Sequence, residues 1–146
     1  MKLVKEALDF ERGDPRKGLG IGKIHLDHFE SVIITALEGG SNYWYQLYTD
    51  DYINQLPART EKRNSITERI SYALYTDPQF KLPVYDVENP DDLLGTITQV
   101  SMFKAFEIAK NKYPDPYNHI TEQQDYDTSD ADILFQLATM EKLVFG

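Results

Sequence analysis

The sequence predicts an α+β fold: a single compact domain of about four helices packed on a small, mainly antiparallel sheet, with an extended N-terminal arm. Three observations lead there. Segments with apolar residues at helical spacing are interspersed with aromatic-rich segments that favour strands, and no βαβ unit repeats. A chain of 146 residues, 41% apolar and 12% aromatic, is long and hydrophobic enough to bury one core. The opening residues, by contrast, mix turn formers with charge and offer few core side chains.

Taken in order, residues 1–23 read as a short helix or strand over 2–8 followed by the arm, which carries Gly13, Pro15, Gly18, Gly20 and Gly22. The domain is expected to run from 24 to 146. In LDHFESVIITALEGG, Phe29, Val32, Ile33, Ala36 and Leu37 recur at helical spacing, Asp27 can cap, and Gly39 and Gly40 stop the helix. SNYWYQLYTDDYI then favours a strand, with Tyr43 and Tyr45 on one face and Trp44 on the other. Ser65 and Glu68 form a capping box for a helix over 66–76, which Asp77-Pro78 ends. FKLPVYDVE reads as a strand, with Pro83 pointing to an edge position. A helix near 96–112 places Ile97, Val100, Phe103, Phe106 and Ala109 inward and stops before Pro114. The last helix, near 129–143, places Ile133, Leu134, Leu137, Ala138 and Val144 in the core.

Net charge is −9, but it is unevenly spread. Residues 1–23 carry six cations against four acids, leaving −11 for the rest, and from Asp115 onward seven acids face only Lys142. Such a globule repels long nucleic acid and anionic membrane. The chain has no cysteine, which removes disulfides, thiolate catalysis and cysteine-bound metal. No run approaches the length of a membrane span, and MKLVKEALDFERGD carries charge where a signal peptide needs an apolar stretch, so the expected location is cytoplasmic.

Two segments resemble a known group. ITALEGGSNYWYQL and DTSDADILFQLATMEKLVFG resemble the two ends of a family of small proteins encoded in bacteriophage and prophage genomes. Its members read TALEGG, a polar pair and YW near the start, and finish with an acid-rich DAD segment, a Gln-bearing helix and an aromatic-Gly. The order and spacing match over most of residues 26–146, although Thr139-Met140 stands where members often have Phe-Gly. FERGDPRKGLGIGK separately resembles a short arm found at the ends of otherwise different tailed-phage proteins. The resemblance implies a viral origin, a small soluble accessory protein and a bacterial host cytoplasm; it implies no reaction.

The candidate chemistry is that of binding. Around Gly39 and Gly40, Ser41 and Asn42 offer hydrogen bonds, and Tyr43, Trp44 or Tyr45 could stack a planar base; alternatively the aromatics fill the core after a glycine stop. Arg59, Lys62 and Arg63 precede the Ser65 cap and Arg69 follows one turn inside, an arrangement that suits phosphate or simply balances an acidic surface. Were the aromatic strand and this helix start to share a cleft, they would form a nucleotide site. Gly18 to Lys23 lacks the phosphate-loop spacing. His25, Asp27, His28 and His119 lack a zinc-binding helix pattern, and the acids at 125–132 do not match an EF-hand. Gln136, among apolar neighbours, either fixes the last helix to nearby backbone or lines a pocket.

The reading that follows is a non-enzymatic phage accessory protein, without cofactor or metal, that binds a host component in counter-defence. Its sharpest form sequesters a small nucleotide-derived signal. The alternatives are an acidic protein–protein inhibitor whose terminal region imitates DNA, and a virion or assembly protein. The arm suits docking on a partner or a second copy, so homo-oligomerisation is a further expectation. A further class is an enzyme acting on a nucleotide, and the abundant acids would suit chemistry by paired carboxylates.

Overall fold

A computed structural model describes residues 26–121 and 125–146. The readings of residues 1–23 and of His25 lie outside the described residues. Six α-helices and a three-stranded antiparallel sheet make up the described chain: α1 (Leu26–Thr35), β1 (Tyr45–Gln46), α2 (Thr49–Tyr52), α3 (Ile66–Thr76), β2 (Leu82–Asp86), β3 (Leu93–Ile97), α4 (Gln99–Lys112), α5 (Pro114–Thr121) and α6 (Thr128–Met140). This is the expected α+β class. Among the described residues, no helix is long and apolar enough to cross a membrane.

Local chemistry accounts for most boundaries. α1 runs into a single wide turn of π-helix over Ala36–Gly40 instead of stopping cleanly at the glycines. Asp27 lies in the first turn of α1 and pairs with Lys62. α3 starts at the expected capping box, with Ser65 accepting from the Glu68 amide and Glu68 accepting from the Ser65 amide. Two further boxes, Thr98 with Ser101 and Asp127 with Asp130, start α4 and α6. α5 opens on Pro114, a residue that costs nothing at a first helical position where the amide has no partner.

Four expectations are corrected. The aromatic strand shrinks to Tyr45–Gln46, because Thr49–Tyr52 turns into a short helix. Ile97 closes β3, so α4 begins after the Thr98 cap and Val100 is exposed. α6 ends at Met140 with Glu141 in the left-handed region, which directs Val144 to the surface. Pro83 lies in the middle strand of the order β1-β2-β3. It is tolerated because β1 pairs only with Asp86 and Tyr85, leaving Pro83 with a strand partner on one side only.

The core joins α1, α3, α4 and α6. Phe29 of α1 is fully buried and meets Tyr75 of α3 edge-on and Phe103 and Phe106 of α4 in tilted contacts. Gln99 donates to the Tyr75 carbonyl at 2.9 Å, satisfying an acceptor at the end of α3 from the start of α4. β3 lies against α6, where Gly95 lets the strand backbone approach the Thr139 carbonyl.

Candidate functional site

Asp132 is the point at which the two ends of the chain's motif pattern meet. It sits one turn into α6, 7% exposed, and accepts four hydrogen bonds. Its Oδ1 takes the Ser41 hydroxyl and the Trp44 indole N–H, each at 2.7 Å. Its Oδ2 takes the Tyr43 phenol at 2.7 Å and the Gln136 amide at 3.0 Å. A carboxylate has about four lone-pair positions, so its accepting capacity is filled. Asp132 is thus a buried hub, and the fold brings three of its four donors from 88 to 91 residues away in sequence.

Gln136, one turn further along α6, binds the terminal segment as a strand would. Its Oε1 accepts the Val144 and Phe145 amides, both at 2.9 Å, and its Nε2 donates to the Phe145 carbonyl at 3.1 Å. Both roles read from the sequence are present, since Gln136 fixes nearby backbone and also lines a cleft beside Tyr43. It lays Phe145 flat on Trp44, with ring centroids 5.2 Å apart and planes 11° from parallel. The wide turn closes the arrangement, since a Cβ on Gly40 would stand 2.7 Å from the Thr128 carbonyl oxygen. TALEGG-SN-YW and DAD-Q-FG are therefore two halves of one packed junction.

The predicted ligand residues divide accordingly. Trp44 is 1% exposed and covered by Phe145, so its ring is a core element and presents no face for stacking. Ser41 is fully buried on Asp132. Tyr45 packs against Phe135 and donates to the Leu37 carbonyl at 2.5 Å. Asn42 is exposed, and Tyr43 is 50% exposed on the rim of a cleft of about 520 Å³ bounded by the wide turn, α6 and the terminal segment.

The basic group lies elsewhere. Arg63, 7% exposed, makes a two-pronged ion pair with Glu30 of α1, Nε to Oε2 at 2.7 Å and Nη2 to Oε1 at 2.6 Å, and its guanidinium sits 3.9 Å from the Tyr72 ring centre. Arg59 donates to Asn64, Arg69 to the Pro57 carbonyl, and Lys62 faces Asp27 at 3.4 Å. The helix start is occupied by its own capping box. A second cleft, about 250 Å³, runs between Asp27, Glu30, Lys62, Arg63 and Glu68, and shares no lining residue with the cleft beside Tyr43. The aromatic strand and the basic helix start thus do not enclose one pocket. Each of the four cations thus has a partner within the chain: Arg63 a buried carboxylate, Lys62 an exposed one, Arg59 the Asn64 amide oxygen and Arg69 a main-chain carbonyl.

The histidines also take structural partners. His28 bonds the Ile120 carbonyl and meets Tyr126 edge-on, while His119 Nδ1 lies 3.0 Å from Asp130. Among the described residues, no group of three or more His, Asp or Glu side chains is arranged to hold a metal.

Burial, together with the neighbouring Tyr52 and Glu38, pushes the Tyr45 phenol up from 10.0 to about 12. Partial burial and the hydrogen bond to Asp132 raise Tyr43 to a similar value. A raised folded-state value means the unfolded chain loses its protons first. Their contribution to stability is accordingly whole below pH 10 and is lost as pH rises towards 12. The urea midpoint should fall across that window, and Tyr45→Phe should remove part of the fall, roughly 1–2 kcal/mol after allowing for solvent screening. An equal fall in Tyr45→Phe and the parent would contradict this assignment.

No family model, curated protein or solved structure matches the chain.

Proposed function

We propose that the protein is a non-enzymatic phage accessory protein that binds a basic surface of a host protein, in the service of counter-defence. The viral part rests on the resemblance carried by TALEGGSNYW and the DAD-Q-FG terminus. The basic partner rests on one observation, an acidic face at the β2–β3 end of the fold. No Lys or Arg occurs from Gln46 to Ala58 or from Leu82 to Phe103, and these stretches hold Asp50, Asp51, Asp86, Glu88, Asp91 and Asp92. The fold gathers them. β1 pairs with β2, α2 packs on β2, Tyr48 meets Tyr85 edge-on, and the Tyr48 hydroxyl donates to the Pro90 carbonyl. Tyr48, Val87 and Leu93 are exposed among the acids, the mixture of apolar contact and single-sign charge that steers and then holds a basic protein.

This places the acidic surface differently from the sequence reading, which put it in the terminal region. There Asp130 and Asp132 are buried in hydrogen bonds, and Glu141 faces Lys104 at 2.8 Å. Sequestration of a phosphate-bearing signal draws less support, since the four candidate cations are engaged within the chain.

The test is capture from bacterial extract by the full chain and by a Glu88→Gln, Asp91→Asn, Asp92→Asn variant. A basic protein should be captured at low salt, released by about 0.5 M salt, and bound at least about tenfold more weakly by the variant. Capture indifferent to both salt and the substitutions, or no captured protein, sinks the reading.

A further inference from the structure

We propose a second binding site, independent of the acidic face: the cleft beside Tyr43 takes an uncharged planar ring compound of the nucleobase or nucleoside type. Its volume, about 520 Å³, lies in the range that small-molecule sites occupy. Tyr43 and Phe145 give it aromatic walls, and Ile133 and Leu143 extend the apolar surface. Thr128 and Ser129 also line it, and their hydroxyls have no hydrogen-bond partner among the described residues, which leaves them available to the polar edge of a ring.

Gly39 is the observation that points to an occupant. Its neighbour Gly40 is required by packing against Thr128, but a Cβ added at Gly39 meets nothing within 4 Å among the described residues. Gly39 also has no left-handed backbone to demand glycine. A glycine inside a helical segment costs about 0.5–1 kcal/mol relative to alanine, so neither backbone nor packing accounts for it. What its missing side chain does provide is an open cleft wall, along which a flat ligand can lie against the backbone.

Electrostatics sets the chemical class. Among the described residues, no Lys, Arg or His lines the cleft, while Asp132 forms part of its lining with all its accepting positions filled from within the chain. A phosphate there would meet a carboxylate and no cation. The cleft therefore selects a nucleoside over its monophosphate, the reverse of a site built on Arg59, Lys62, Arg63 and Arg69.

Trp44 is the sole tryptophan and lies directly beneath Phe145, so its fluorescence reports on the cleft without a label. The full chain is titrated with adenosine, guanosine, cytidine and uridine, and with their 5′-monophosphates. At least one nucleoside should change the emission saturably with Kd below about 1 mM, and its monophosphate should bind at least about tenfold more weakly. Gly39→Leu, which fills the cleft from a position with free space, should abolish the change. Gly39→Ala retains the fold and should weaken binding severalfold, and it serves if the leucine variant does not fold. The proposal is overturned if no nucleoside saturates, if a monophosphate binds as well as its nucleoside, or if the glycine variants bind like the parent.

Discussion

Replacing Asp132 with asparagine should destabilise the protein by about 3–5 kcal/mol, since each buried donor left without its acceptor costs about 1–3 kcal/mol. Ser41, Trp44, Tyr43 and Gln136 all donate to this one carboxylate. An amide keeps one accepting oxygen and adds an N–H group that faces donors already in place, so at least two of the four lose their bond. The Trp44 indole and the Ser41 hydroxyl are buried and cannot turn to water instead. In a chain of this size the thermal midpoint should drop by about 10 °C, with Trp44 emission shifting to the red as Phe145 loosens. Tyr43→Phe is the internal comparison. It removes a single half-exposed donor and should cost only about 1 kcal/mol. Equal losses for the two variants would mean that Asp132 organises nothing beyond its bond to Tyr43.

Gly95→Ala should have an effect of similar size by a different route. A Cβ there would stand 2.0 Å from the Thr139 carbonyl oxygen and 3.0 Å from its carbon, both main-chain atoms of α6. No side-chain rotation relieves that overlap. β3 must move off α6, and because Ile97 of β3, its β2 partners Leu82 and Val84, and Leu134 and Phe135 of α6 have almost no exposed surface, the displacement opens the core. The expected loss is about 3 kcal/mol or more, read as a lower urea midpoint. Gly39→Ala provides the contrast, since it meets open space and should be neutral or stabilising by about 0.5 kcal/mol. Comparable costs at the two glycines would show that the β3–α6 approach is not what Gly95 serves.

The helices were largely legible because their signals are local. Ser65 and Glu68 are three residues apart, so the α3 box can be read without knowing what surrounds it. The Phe29, Val32, Ile33 spacing of α1 and the Leu134, Leu137, Ala138 spacing of α6 likewise follow from helix geometry alone. β3 was missed because LLGTI offers no alternation of apolar and polar residues, and its glycine reads as a break until α6 is seen against it. α5 was missed because two prolines fall within PDPYNHIT, though both lie in the first turn, where the missing amide costs little.

The candidate site divides the same way. From the sequence alone came the residue types that matter: a glycine pair beside YW, an acid-rich helix start, a glutamine among apolar neighbours, and a basic group ahead of a capped helix. Only the tertiary structure decided how they are spent. Asp132 and Trp44 are 88 residues apart in the chain, and Arg63 and Glu30 are 33 apart, so no local pattern can say that either pair meets. Once they meet, burial assigns Trp44 and Ser41 to the core, an ion pair with Glu30 buries Arg63, and the terminal segment becomes a wall of the cleft. What these internal bonds leave exposed includes the half-exposed Tyr43 beside Gly39, and a β2–β3 hairpin that holds Asp86, Glu88, Asp91 and Asp92 and no lysine or arginine of its own.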